Sequence, residues 1–108
     1  MANLKEVQEN VAGQIQRDLE QKGILGKELI QLMYTGLFEE AGEVAGVFKR
    51  RIRKGPKDAE PSRDEHLSEE IGDVLWYLAG LCYSLGFDMD DIWTQNIKKL
   101  EERYGRNY

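Results

Sequence analysis

The stretch LSEEIGDVLWYL, Leu67 to Leu78, sets two glutamates and an aspartate among mostly apolar residues, and LFEEAGEVAGVF, Leu37 to Phe48, repeats the pattern earlier in the chain. Both read Leu-x-Glu-Glu-x-Gly-acid-Val. Apolar residues recurring at three- and four-residue steps specify an amphipathic helix. On a wheel of about 100° per residue, Leu67, Ile71, Val74, Leu75, Leu78, Leu81, Cys82 and Leu85 fill one broad arc. Glu70 lies at the edge of that arc, Asp73 one step further round on the same side, and Glu69 points away. In the earlier copy Leu37, Ala41, Val44, Phe48 and Ile52 make the arc, Glu40 and Glu43 line its rim, and Glu39 faces water. Two helices therefore each offer a pair of carboxylates at the margin of a packing face.

Outward from these copies the pattern stays helical. Leu4, Val7, Val11, Ile15 and Leu19 predict a helix over residues 3–21 that ends before Gly23 and Gly26. The second helix is expected from about Lys27 to Arg53, with basic residues at the end the helix dipole favours for cations. Pro56 and Pro61 bracket a polar loop, and Ser62 with Glu65 has the spacing of a capping box opening a third helix to about Leu85. Gly86 stops that helix, and Asp88 caps a fourth reaching about Tyr104. No segment alternates with a period of two, so no strand is expected. The fold class is all-α, an antiparallel bundle of about four helices forming a single domain over residues 1–108. The apolar arcs are broader than one small bundle needs, which favours packing into a dimer or tetramer.

Antiparallel helices joined by a short loop would bring the two acid pairs face to face. Two like charges about 4 Å apart repel by about 4 kcal/mol at an effective dielectric near 20, so converging carboxylates must be protonated or neutralised by cations. A divalent ion resolves the conflict. Oxygen-only ligands favour hard cations, and Mg²⁺ uses a few carboxylates together with substrate phosphates. By spacing alone the four acids would be ordinary solvated helix residues; their repetition at the same rim is what sets a cation site against that reading. Gly42 and Gly72 fall at matching positions, where close helix approach would justify a glycine. On the last helix Asn96, Lys99 and Arg103 share a face with Ile92, Trp93 and Leu100. They are either snorkelling side chains beside surface hydrophobes or a clamp for an anion such as a metal-bound polyphosphate.

Composition removes other classes. The 108 residues are 41% hydrophobic and 32% charged with a net charge of -5, a balance unsuited to general nucleic-acid or anionic-membrane binding. No apolar run approaches the roughly 18 residues that cross a bilayer, and MANLKEVQEN lacks the basic and apolar regions of a signal peptide, so a cytoplasmic location is expected. The basic run KRRIRKGPK, Lys49 to Lys57, is either a helix end plus loop or a phosphate-attracting rim. The lone Cys82 reads as a small buried hydrophobe. His66 forms no Glu-x-x-His pair with either motif, which makes iron in a ferritin-like diiron bundle the less attractive reading, and DMDDIWTQN places Trp93 where a calcium loop needs glycine.

The EEAGE of Glu39 to Glu43, the EEIGD of Glu69 to Asp73 and the NIKKLEERY of Asn96 to Tyr104 together resemble the MazG-like nucleoside triphosphate pyrophosphohydrolases of the all-α NTP pyrophosphatase superfamily. That family is marked by Glu-x-x-Glu followed, after a variable spacer, by Glu-x-x-Asp, here Glu40, Glu43, Glu70 and Asp73. The spacer, residues 44–69, lies toward the long end of the family range. The resemblance covers roughly residues 30–104. It implies that the four acids are catalytic and hold Mg²⁺, with Mn²⁺ as a substitute, and that Asn96, Lys99 and Arg103 meet the phosphates of a nucleoside triphosphate. It also implies cleavage between the α- and β-phosphates to a monophosphate and pyrophosphate, a homodimer or homotetramer, and a house-cleaning role. Two further readings stay open at this point: a non-catalytic helical oligomerisation module, and a hydrolase of another nucleotide-like pyrophosphate.

Overall fold

A computed structural model describes residues 3–55 and 65–107, and those residues form four helices. The first, α1, runs Leu4–Asp18 and is followed by a 3₁₀ turn, Glu20–Lys22. Then come α2 at Gly26–Lys54, α3 at Glu65–Leu85 and α4 at Met89–Tyr104. The expected all-α architecture is present, and no strand occurs among the described residues. Ser62 and both prolines, and with them the expected capping box and loop, lie outside the described residues. No described helix is long and apolar enough to cross a membrane.

Local chemistry explains the ends. Asn3 opens α1 by accepting a hydrogen bond from the Glu6 backbone N–H at 3.0 Å, satisfying one of the orphan donors of the first turn. Asp88 opens α4 in the same way, accepting from Asp90 and Asp91 N–H groups. Between α3 and α4 the chain turns at Gly86, whose φ of 75° an L side chain rarely adopts. The turn is pinned from α1: Gln8 Nε2 donates to the Phe87 carbonyl at 2.6 Å, and Met89 N–H donates to Gln8 Oε1 at 2.8 Å.

The core gathers Val11 and Ile15 from α1, Leu29 and Met33 from α2, Ala79 and Cys82 from α3, and Met89 at the start of α4. The α1 arc is the one the periodicity indicates. On α2 and α3 the outcome differs from expectation. Phe48 is 43% and Ile52 72% exposed, while Val47, outside the expected arc, is 2% exposed. On α3, Ile71, Leu75, Leu78 and Leu85 are all exposed. A wheel ranks arcs by their apolar area; which arc meets the chain's own core depends on where two backbones can come close. Those places are Gly36, where a Cβ would run into the Tyr77 ring, and Gly80, where it would run into the Met33 sulfur and lie 3.2 Å from Ile15 Cδ1. Gly42 and Gly72, expected to mark close approach, have nothing within 4 Å of a built Cβ.

Helices α2 and α3 pack along each other more extensively than any other pair, and α4 packs on α1. Met33 meets Gly80 and Gly36 meets Tyr77, so ascending α2 matches descending α3 and the pair is antiparallel. Continuing that register brings Glu40 level with Asp73.

Candidate functional site

One turn beyond the Gly36–Tyr77 contact the two copied motifs meet. One carboxylate oxygen from each of Glu40, Glu70 and Asp73 lies within 4.8 Å of the others. Glu40 and Glu70 are half-buried and Asp73 is exposed. Glu40 is not at a rim: it falls on the packed face of α2, in line with Leu29, Met33, Gly36 and Val47, because that face and not the Phe48–Ile52 arc turns inward. Tyr77 closes the base of the cluster, and its ring stands edge-on to Trp76 with centroids 5.0 Å apart.

The electrostatics are those of acids forced together. Partial burial holds the Glu40 carboxyl above the ordinary glutamate range, and the charges of Asp73 and Glu70, a hydrogen bond with Glu70 and the charge of Glu39 push it the same way. Tyr77 is likewise raised, first by burial and then by Glu40, Glu39 and Asp73. Every charge that raises these two groups is negative, so the cluster would gain from positive charge.

The remaining expected site residues fall elsewhere. Glu43 is exposed, one turn along α2 from Glu40, and stands outside the group of three. Glu39 and Glu69 face solvent as the wheel indicates, Glu69 lying 3.5 Å from His66. Asn96 is half-buried, and Lys99 and Arg103 are exposed on α4. That helix packs on α1, with no comparable packing on α2 or α3 among the described residues, so one chain does not lay its cationic helix across the acids. The Gly36–Tyr77 wedge escaped sequence reasoning. Its signal was present: a glycine four residues before Glu40 and an aromatic four residues after Asp73.

Hard divalent cations suit this donor set. It offers oxygen ligands alone, from converging side chains on two helices. A cation bound there would be held by Glu40, Glu70 and Asp73.

Comparison with known proteins agrees with this chemistry. Residues 28–106 match the family model described as the MazG nucleotide pyrophosphohydrolase domain. The Gene 37 protein of Mycobacterium phage L5 is 38% identical over 80 residues, covering 73% of this chain and 69% of that protein. The uncharacterized protein YpjD of Bacillus subtilis (strain 168) is 35% identical over 71 residues, covering 66% of this chain and 63% of that protein. No solved structure matches.

Proposed function

The chain belongs to the MazG nucleotide pyrophosphohydrolase family, and from that premise we propose that it hydrolyses a nucleoside triphosphate between the α- and β-phosphates in a Mg²⁺-dependent reaction. The observation that carries the reading is the convergence of Glu40, Glu70 and Asp73, each offering a carboxylate oxygen within 4.8 Å of the others. Glu43, one turn along, completes a set of four acids around the cation. Mn²⁺, similar in its preference for oxygen ligands, substitutes for Mg²⁺.

A divalent cation held by these acids would offset charge on the phosphate oxygens and ease ionisation of the attacking water. The chain's own residues do the rest. A carboxylate of the set orients the water and takes its proton as the new P–O bond forms; the bridging P–O bond breaks and pyrophosphate leaves, with the nucleoside monophosphate as the second product. Asn96, Lys99 and Arg103 hold the phosphates, Arg103 by forked hydrogen bonds and Lys99 as a point charge.

Those three residues reach the acids in a homodimer or homotetramer. The radius of gyration is 16.9 Å, against about 13 Å for a compact chain of this length, and the surplus is an open shape with an uncovered apolar side. Leu4, Leu75, Leu78, Ile92 and Trp93 line a wholly apolar groove there. Burying that side against a second copy would cover it and bring the partner's α4 toward the acids. Such a protein works in nucleotide clean-up in the cytoplasm, without nucleic-acid or membrane partners.

The test is release of pyrophosphate from a panel of nucleoside triphosphates with and without Mg²⁺. Release that requires the metal and disappears in Glu40→Gln and Asp73→Asn is the expected result. Full activity in either variant would sink the assignment.

A further inference from the structure

We propose that a groove between α1 and α3 binds the nucleobase and selects guanine, with Glu6 and Asn10 reading the base edge and Trp76 supplying an aromatic wall. The proposal takes the nucleotide reading above as its premise and assigns it a specificity. The groove has a volume of 310 Å³ and is lined by Glu6, Asn10, Gln14, Gly72 and Trp76 together with apolar neighbours. Ligand pockets run from about 300 to 1,000 Å³, so this one admits a base and leaves the sugar and phosphates outside.

Its position fits that division. Gly72 immediately precedes Asp73, and Trp76, three residues on, neighbours Asp73 on the helix surface. The Trp76 ring packs edge-on against Tyr77, the residue that floors the acid cluster. One turn of α3 thus presents the acids on the side of α2 and the groove on the side of α1. A Cβ at Gly72 would meet nothing within 4 Å, so the groove is open there because no side chain fills it.

Polarity in the groove is set by a relay. Trp76 Nε1 donates to Gln14 Oε1 at 3.0 Å, and Gln14 Nε2 donates to Asn10 Oδ1 at 2.6 Å. The Asn10 oxygen is engaged, which leaves its Nδ2 as the group to offer, a donor. Glu6, four residues earlier on the same face, is acceptor-only when ionised; among the described residues its side chain accepts from Asn3 Nδ2 at 3.3 Å, and that bond occupies a single oxygen. The pair asks for a base with a carbonyl beside adjacent N–H groups. Each common base can satisfy one donor and one acceptor, but only guanine sets two neighbouring N–H groups, N1 and N2, toward a carboxylate with O6 beside them.

The groove's α1 wall lies outside the residues 28–106 that match the family model. The acids lie inside that range, whereas Glu6, Asn10 and Gln14 belong to the part of this chain that the match does not reach.

The experiment titrates the intact protein with GMP, AMP, CMP and UMP, following the side-chain amide signals of Asn10 and Gln14 and the indole N–H of Trp76 by NMR, beside the pyrophosphate assay. GMP is expected to shift these signals at concentrations where the others do not. Glu6→Gln, which keeps an acceptor for Asn3, is expected to lower the preference for guanine about 10- to 100-fold, the range of a lost bidentate base contact. Gly72→Met is expected to raise KM for GTP by filling the groove. Equal shifts with all four monophosphates, or pyrophosphate release from GTP that Glu6→Gln and Gly72→Met leave unchanged, would overturn the groove and leave the hydrolase reading intact. Selective GMP shifts without pyrophosphate release from any triphosphate would support the groove and defeat the hydrolase reading instead.

Discussion

Gly36 lies against the ring of Tyr77 so closely that a methyl group has no place between them. Gly36→Ala would gain helix propensity of about 1 kcal/mol, but it forces the ring and both helix backbones apart, and overpacking of this kind costs about 1–3 kcal/mol. The expected net result is a lower midpoint in urea unfolding and a weaker response to Mg²⁺, because Glu40 and Asp73 sit one turn beyond the wedge. Gly42→Ala is the matched control. Space is open around Gly42, so Ala there should stabilise by about 0.5–1 kcal/mol, chiefly by restricting the unfolded chain.

Glu40→Gln should raise the melting temperature of the metal-free protein near neutral pH while reducing pyrophosphate release by about 100-fold or more, beyond the 10- to 100-fold cost of losing a mere supporting partner of a metal site. The sign follows from the raised pKa of Glu40. A group that holds its proton more tightly when folded favours the folded state most below its ordinary value of 4.5, and that contribution is lost as pH rises through the folded value. At neutral pH the ionised Glu40 is therefore a liability that Gln removes. Thermal scans across pH 4 to 8 should show the gap between variant and parent closing on acidification. Adding Mg²⁺ should reverse the order at neutral pH by stabilising only the parent.

Tyr83 donates to Glu20 Oε1 at 2.7 Å and accepts from Gln16 Nε2 at 3.2 Å, tying the 3₁₀ turn and α1 to α3. Tyr83→Phe should cost about 1 kcal/mol at neutral pH. The bond to Glu20 is the main reason the phenol's pKa is raised, ahead of burial and the Glu20 charge, while the Gln16 bond acts in the opposite direction. With the folded value above the ordinary tyrosine value of 10.0, the stabilisation is complete below that value and fades as pH climbs through the folded one. Stability curves of the two proteins should converge in strong alkali.

If the partner's α4 serves the acids, two inactive variants should repair each other. Asp73→Asn and a Lys99→Ala/Arg103→Ala double variant, each silent alone, should recover partial pyrophosphate release when co-folded, since a mixed dimer contains one site with both halves intact. Leu78→Glu on the exposed face of α3 should shift the protein to monomer in sedimentation and abolish that recovery. No recovery from a co-folded mixture would place Asn96, Lys99 and Arg103 within one chain's own site.

Much of this was legible from residues alone. The helix boundaries at Gly86 and Asp88 follow from capping chemistry, which is local and therefore readable. The pairing of acids in two helices followed from their repetition. What the wheel could not supply was the facing of α2: Phe48 and Ile52 make the more apolar arc, yet Val47 and Glu40 turn inward because Gly36 and Gly80 permit approach on that side. Amphipathic pattern reports how much apolar area an arc carries, and says nothing of which neighbour covers it. For the same reason the placement of α4 on α1, away from the acids, had no signature in Asn96, Lys99 or Arg103. Long-range bonds such as Gln8 to Phe87 and Met89 decide it.

Since Met33 with Gly80 and Gly36 with Tyr77 set the alignment of α2 against α3 from within the helices, the stretch of chain joining them is relieved of any duty to position the acids. Evolution can lengthen or shorten that connection without retuning the site, whereas one residue gained or lost between Gly36 and Glu40, or between Asp73 and Tyr77, would swing a carboxylate about 100° round its helix. Indels should therefore be plentiful in one interval of the gene and absent from the two short ones.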